Sequence, residues 1–167
     1  VRPTLSAAPS HQEGQTRSRD GPRRPRCALR AGGWPRGIVF DTNILVYAAT
    51  SDARKQRALD CLGRGGVVSA QVLNEFVHVA RRKLHHDWPQ VELALGLFRA
   101  SLDDILPVTL NTHTGAVSLA REHGLPIYDA LIVAAAIEGG CDTLFSEDMQ
   151  HGRSIGGLAI VNPFLDS

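Results

Sequence analysis

Gly37-Ile38-Val39-Phe40 is a short apolar run that leads straight into Asp41-Thr42-Asn43-Ile44-Leu45-Val46-Tyr47-Ala48. It reads as a strand that ends on an acid. A carboxylate in that half-buried place is costly unless something partners its charge, so Asp41 is hard to dismiss as a surface residue.

Strand and helix patterns alternate from there toward the C-terminus. The segment 52–62 is helical, with Ala58, Leu59 and Leu62 as its apolar stripe, and the glycines between Gly63 and Gly66 break it. Val67-Val68 reads as a second strand and Ser69 as the N-cap of a helix over 71–84. In that helix Val72, Leu73, Phe76, Val79 and Ala80 share one face, while Gln71, Glu75, His78 and Arg82 share the other. A helix over 88–102, in which Trp88 is expected to pack, precedes a strand over 105–109. Thr112 then opens a helix ending near Gly124.

The stretch 128–138 is apolar nearly all round and stops at Gly139-Gly140, as a helix buried on most sides would. Thr143-Leu144-Phe145 is a strand with Ser146-Glu147-Asp148 at its end, and Ile160-Val161 adds a last one. Glu147 reads as an exposed charge. The alternation predicts an α/β fold whose parallel sheet is covered on both faces.

Toward the N-terminus the character changes. Residues 1–36 mix Pro, Ser, Gly and Gln with eight arginines against Glu13 and Asp20. That segment is expected to be a disordered extension: an arm for RNA phosphates, a segment with no role, or translated sequence upstream of the true start, with one of the last two favoured. Residues 37–167 form the expected domain; they carry ten Lys/Arg against fifteen Asp/Glu, so the body is acidic. An acidic body suits nucleic acid only if bound metal neutralises some of its acids.

Cys27, Cys61 and Cys141 are an odd number without a C-x-x-C pair, which predicts a reducing, cytoplasmic setting. The longest uninterrupted apolar run, Ala130 to Ile137, falls far short of the ~20 residues of a membrane span, and no membrane role is expected.

In open parallel sheets ligands bind beyond the carboxyl ends of the strands. Asp41 and Asp148 each follow a strand, Asp129 sits in the first turn of its helix, and Glu75 in the second turn of the helix after Val67-Val68. Taken singly, Asp129 reads as a complement to the helix dipole, Glu75 as a solvated charge and Asp148 as turn chemistry. Taken together, four acids fall toward one edge. Such a cluster repels by roughly 1 kcal/mol per pair at 4 Å even in water-like surroundings, so it stays ionised only around a cation. An all-oxygen site suits Mg²⁺ or Mn²⁺, and two such ions can drive in-line attack on phosphorus.

Four blocks carry a family resemblance: Val39 to Ala48, Ser69-Ala70-Gln71-Val72-Leu73-Asn74-Glu75-Phe76, Ile127-Tyr128-Asp129 through Ala136, and Leu144 through Gly152. In order and spacing the chain resembles PIN-domain nucleases, and more narrowly the VapC-type toxins of toxin–antitoxin pairs. The resemblance implies a three-layer α/β/α sandwich with a central parallel sheet and Mg²⁺- or Mn²⁺-dependent endonuclease action on RNA. It implies Asp41 and Asp129 as principal metal ligands, with Glu75 and Asp148 completing the set. Asn43 and Ser146 would hold the acids by hydrogen bonding, and Thr42 would be structural. It further implies a homodimer silenced by a cognate antitoxin. The extension before Gly37 departs from the family pattern.

Among remaining residues Arg153 is a candidate phosphate contact, and Arg81, Arg82 and Lys83 read first as cations at a helix C-terminus. His78, His85, His86, His113, His123 and His151 show no metal-ligand spacing. Three alternatives stand beside the toxin reading: a housekeeping nuclease of the same family, a non-catalytic RNA- or protein-binding scaffold, and aspartyl phosphoryl transfer at Asp41. The last needs a lysine beside the strand ends, and Lys55 and Lys83 lie elsewhere.

Overall fold

The computed structural model describes residues 37–165; the reading of 1–36 as an extension therefore lies outside the described residues. Among the described residues β1 (Ile38–Phe40), β2 (Val67–Ser69), β3 (Asp104–Leu106), β4 (Thr143–Phe145), β5 (Ser154–Ile155) and β6 (Leu158–Val161) form one sheet in the order β3-β2-β1-β4-β6-β5. All pairings are parallel except β5 with β6. The helices α1 (Thr42–Ala49), α2 (Lys55–Gly63), α3 (Ala70–Arg82), α4 (Trp88–Ser101), α5 (Leu110–His123) and α6 (Ile127–Glu138) cover the sheet as an α/β/α sandwich.

β1 and β4 occupy the middle, and every residue of both is buried. Their apolar side chains have no solvent face to serve, which is why these strands are continuous rather than alternating. The core joins Phe40, Ile44, Leu45, Val72, Phe76, Ile132 and Leu144. The unbroken burial of Ala130 to Ala136 explains why α6 lacks a polar stripe.

Local chemistry sets the boundaries. Ser69 caps α3, its hydroxyl accepting from the Val72 amide at 3.3 Å. Strand β3 stops at Leu106 rather than reaching residue 109, because Pro107 has no amide to give the ladder. Helix α5 begins at Leu110, not Thr112; Thr109 is the N-cap, and Thr112 closes a reciprocal capping box from N3. The antiparallel edge strand β5 was not anticipated. It folds back through Gly156 and Gly157, whose φ values of 57° and 87° make the two-residue hairpin that only glycines enter freely.

Trp88 does not pack. It is 56% exposed, with the Arg81 guanidinium 4.9 Å from the ring centre.

Candidate active site

Asp41 leaves β1 at the centre of the sheet's carboxyl edge. Its amide donates to the Phe145 carbonyl at 2.9 Å, so the acid is tied to β4 by backbone before its side chain does anything. The carboxylate is 5% exposed. Oδ1 caps α1 by accepting from the Thr42 amide at 2.6 Å. Oδ2 accepts from the Ser146 hydroxyl at 2.6 Å and from Asn43 Nδ2 at 3.3 Å. Burial pushes its pKa up to about 6, against the pull of the Ser146 and Thr42 hydrogen bonds and with help from the negative fields of Asp129 and Glu75.

Glu75 projects from the second turn of α3 and is half-buried. Its Oε2 accepts from the Thr42 hydroxyl at 2.8 Å and its Oε1 from Gln71 Nε2 at 2.9 Å. Thr42 therefore links two of the acids, donating its amide to one and its hydroxyl to the other. Asp129, in the first turn of α6, is half-buried with a raised pKa; burial is the main cause, then repulsion from Glu75 and Asp148. Asp148 is exposed on the connection between β4 and β5. Asp41, Glu75 and Asp129, drawn from three parts of the chain, thus stand within one another's fields, and Asp148 acts on Asp129.

Among the described residues, no three His, Cys, Asp or Glu side chains are gathered closely enough to grip an ion as they stand. The donor set nevertheless suits a hard divalent cation, being all oxygen. The Oδ1 of Asn43 is buried and lacks a hydrogen-bond partner, which leaves one more oxygen beside Asp41 with unused capacity.

The loop that carries Asp148 is fastened by its neighbours. The Ser146 amide donates to the Val161 carbonyl at 3.0 Å, and the Ser146 hydroxyl accepts from the Met149 amide at 3.1 Å. Glu147 is not a free exposed charge. It accepts from Arg54 Nη1 at 2.7 and 2.9 Å and from the Tyr47 hydroxyl. Arg54 in turn grips Asp52 with Nε and Nη2, both at 2.8 Å, which holds Asp52 down to about 2 and raises Arg54 above its usual range. Sequence reasoning had no signal for this cluster beyond the i, i+2 spacing of Asp52 and Arg54.

Arg153 is half-buried and donates from Nη2 to the His123 carbonyl at the end of α5, 2.7 Å away. That contact answers one of the orphan carbonyls of a helix C-terminus. His151 lies on the surface, its Nδ1 accepting from the Asn162 amide at 3.1 Å.

Residues 38–153 match the family model of the PIN domain. Several solved structures share the fold. One is a toxin–antitoxin complex from Klebsiella pneumoniae, 23% identical with a TM-score of 0.60, covering 77% of this chain and 98% of that one. Another is VapC20 from Mycobacterium tuberculosis, described as a Sarcin-Ricin loop cleaving toxin, 20% identical at TM-score 0.57 over 67% of this chain and 92% of that one. A third is VapBC2 from Rickettsia felis bound to a DNA fragment from its promoter, 25% identical at TM-score 0.54 over 74% and 96%. No curated protein matches the chain.

Proposed function

The chain belongs to the PIN domain family, and from that premise we propose that it is a divalent-metal-dependent endoribonuclease, the toxin of a toxin–antitoxin pair. The observation that carries the reading is Asp41: a carboxylate 5% exposed at the end of a central strand, hydrogen-bonded three ways, with its pKa pushed up mainly by burial and further by the acids Asp129 and Glu75. A structural acid so buried would be expected beside a lysine or arginine. Here the charges that act on it are those of the acids Asp129 and Glu75, a poor arrangement for stability and a suitable one for a cation.

Asp41 and Asp129 would be the principal ligands, with Glu75 and Asp148 completing the set. When bound, a divalent ion neutralises these carboxylates and supplies Lewis-acid activation for phosphodiester hydrolysis. The chain's own work is orientation. Ser146 and Thr42 fix the plane of the Asp41 carboxylate, Asn43 supports Oδ2, and Thr42 with Gln71 fixes Glu75. Arg153, with one amino group anchored on α5, is a secondary candidate for a phosphate contact.

Residues 37–167 would be the nuclease domain, acting as a homodimer in the cytoplasm. The likeness to two structures described as VapBC or toxin–antitoxin assemblies supports an antitoxin partner, and the neighbour described as cleaving the Sarcin-Ricin loop supports RNA as substrate. Among the described residues no helix is long and apolar enough to cross a membrane.

Incubating the purified chain with total RNA, with Mg²⁺ or Mn²⁺ and then with chelator, tests the reading. Cleavage that needs the ion and disappears in a folded Asp129→Ala variant supports it. Full activity in that variant refutes the assignment of the acid.

A further inference from the structure

The group of side chains around Glu147 is built with more care than an exposed ion pair requires. Arg54 is committed on three sides: Nε and Nη2 to Asp52, Nη1 to both oxygens of Glu147, and its flat face to the Tyr47 ring at 3.9 Å. The Tyr47 hydroxyl also donates to Glu147, and its ring stands edge-on to Phe164 at 5.2 Å. Side-chain exposures of 39% for Arg54 and 24% for Glu147 leave the pair largely screened, so it adds little to stability. What it does fix is geometry.

Glu147 stands directly before Asp148, whose own side chain is exposed and is not located by packing. On the other side Met149 is buried and tied to Ser146. The backbone of Asp148 is thus clamped between a buried plug and a residue pinned to the α1–α2 connection. We infer that Glu147 is a positioning residue, locked by Arg54 and Tyr47, that sets where Asp148 stands opposite Asp129. The inference rests on the reading of the four acids as metal ligands.

The test uses the full chain and its Glu147→Gln, Arg54→Met, Arg54→Lys and double Glu147→Gln/Arg54→Met variants. Mn²⁺ affinity is read by titration without RNA, alongside kcat and KM on an RNA substrate and Tm. Loss of supporting contacts around a metal site weakens binding by about 10–100-fold. Glu147→Gln and Arg54→Met should therefore raise the Mn²⁺ Kd by about tenfold. They should lower kcat, leave KM for RNA unchanged and leave Tm within a few degrees. Because the two residues act as one unit, the double variant should be no worse than the poorer single one, and Arg54→Lys should recover part of the affinity.

Unaltered Mn²⁺ affinity in Glu147→Gln, an effect on KM alone, or additive losses would overturn the inference. An unaltered chain that binds Mn²⁺ and cleaves no RNA would sink the nuclease reading and leave the Kd comparison to decide this one. An unaltered chain with no Mn²⁺ affinity would overturn both.

Discussion

The Ser146 hydroxyl donates to Asp41 Oδ2 at 2.6 Å, and the two residues meet because β1 and β4 are neighbours in register, Phe40 opposite Phe145. One residue past each strand end, acid and hydroxyl are delivered side by side by the sheet itself. The bond favours the charged carboxylate. Ser146→Ala should therefore raise the Asp41 pKa beyond about 6 and move the acidic limb of the cleavage profile to higher pH. A hydrogen bond to a charged group contributes about 1.5–3 kcal/mol, so the variant should be less stable at pH 8 and closer to the parent at pH 5. A pH–rate profile and denaturant melts at the two pH values read both effects; an unmoved acidic limb would detach Ser146 from Asp41.

Stability without metal should fall as pH rises. Asp41 goes from 3.8 to about 6 on folding, and Asp129 is also raised. The folded chain therefore holds extra protons between those values. The associated stability is complete below 3.8 and is lost as pH climbs through about 6. For Asp41 the swing is on the order of 3 kcal/mol. Chelated protein should melt higher at pH 5 than at pH 7, and saturating Mn²⁺ should restore the loss at pH 7. A chelated melting curve that is flat or rising over that interval would contradict the environment assigned to Asp41.

Asp129→Asn keeps the shape of the side chain and removes a charge that Glu75 and Asp148 repel. Cleavage should drop by at least about a hundredfold, the scale on which single groups count in catalysis. The loss of a favourable helix-dipole contact costs only about 0.3–1 kcal/mol, and relief of repulsion offsets it. Near-parental Tm with abolished cleavage is the expected pair of results, checked by calorimetry and a single-turnover assay.

Gly66→Ala should damage the scaffold without touching the site. A Cβ there would sit 2.6 Å from Phe40 Cε2 and 2.8 Å from the Ile38 carbonyl, at a φ of +157°. Backbone cannot yield as a flexible side-chain tip can, so about 1–3 kcal/mol of destabilisation is expected. Denaturant unfolding measures it; a variant as stable as the parent would mean that β1 and the loop before β2 are not so closely apposed.

Much of this was legible from residues alone because the signals were local. Ile38 to Phe40 ending on Asp41, Ser69 before an amphipathic helix, and the all-apolar Ala130 to Ala136 each announced an element and its burial. That Asp41 and Asp148 lie past the same edge of the sheet followed from where parallel strands end. What escaped was non-local or set by a few atoms. Nothing around Glu147 indicated that Arg54, far back in the chain, would reach it. Thr42 looked structural because its hydroxyl partner, Glu75, lies on another helix. The end of β3 turned on the missing amide of Pro107, and the β5–β6 hairpin on two adjacent glycines.

Strand β4 is inserted between β1 and β6, yet it emerges from the ribosome behind α1 through α6. Ser146, which steadies the first acid, and Asp148, the last, arrive together with it. A nascent chain that has not yet made that strand carries Asp41, Glu75 and Asp129 but neither Ser146 nor Asp148. The order of synthesis thus sets the order of assembly: until β4 docks beside β1, Asp41 has no Ser146 hydroxyl to hold it, and whatever chemistry the acids perform waits for that late strand.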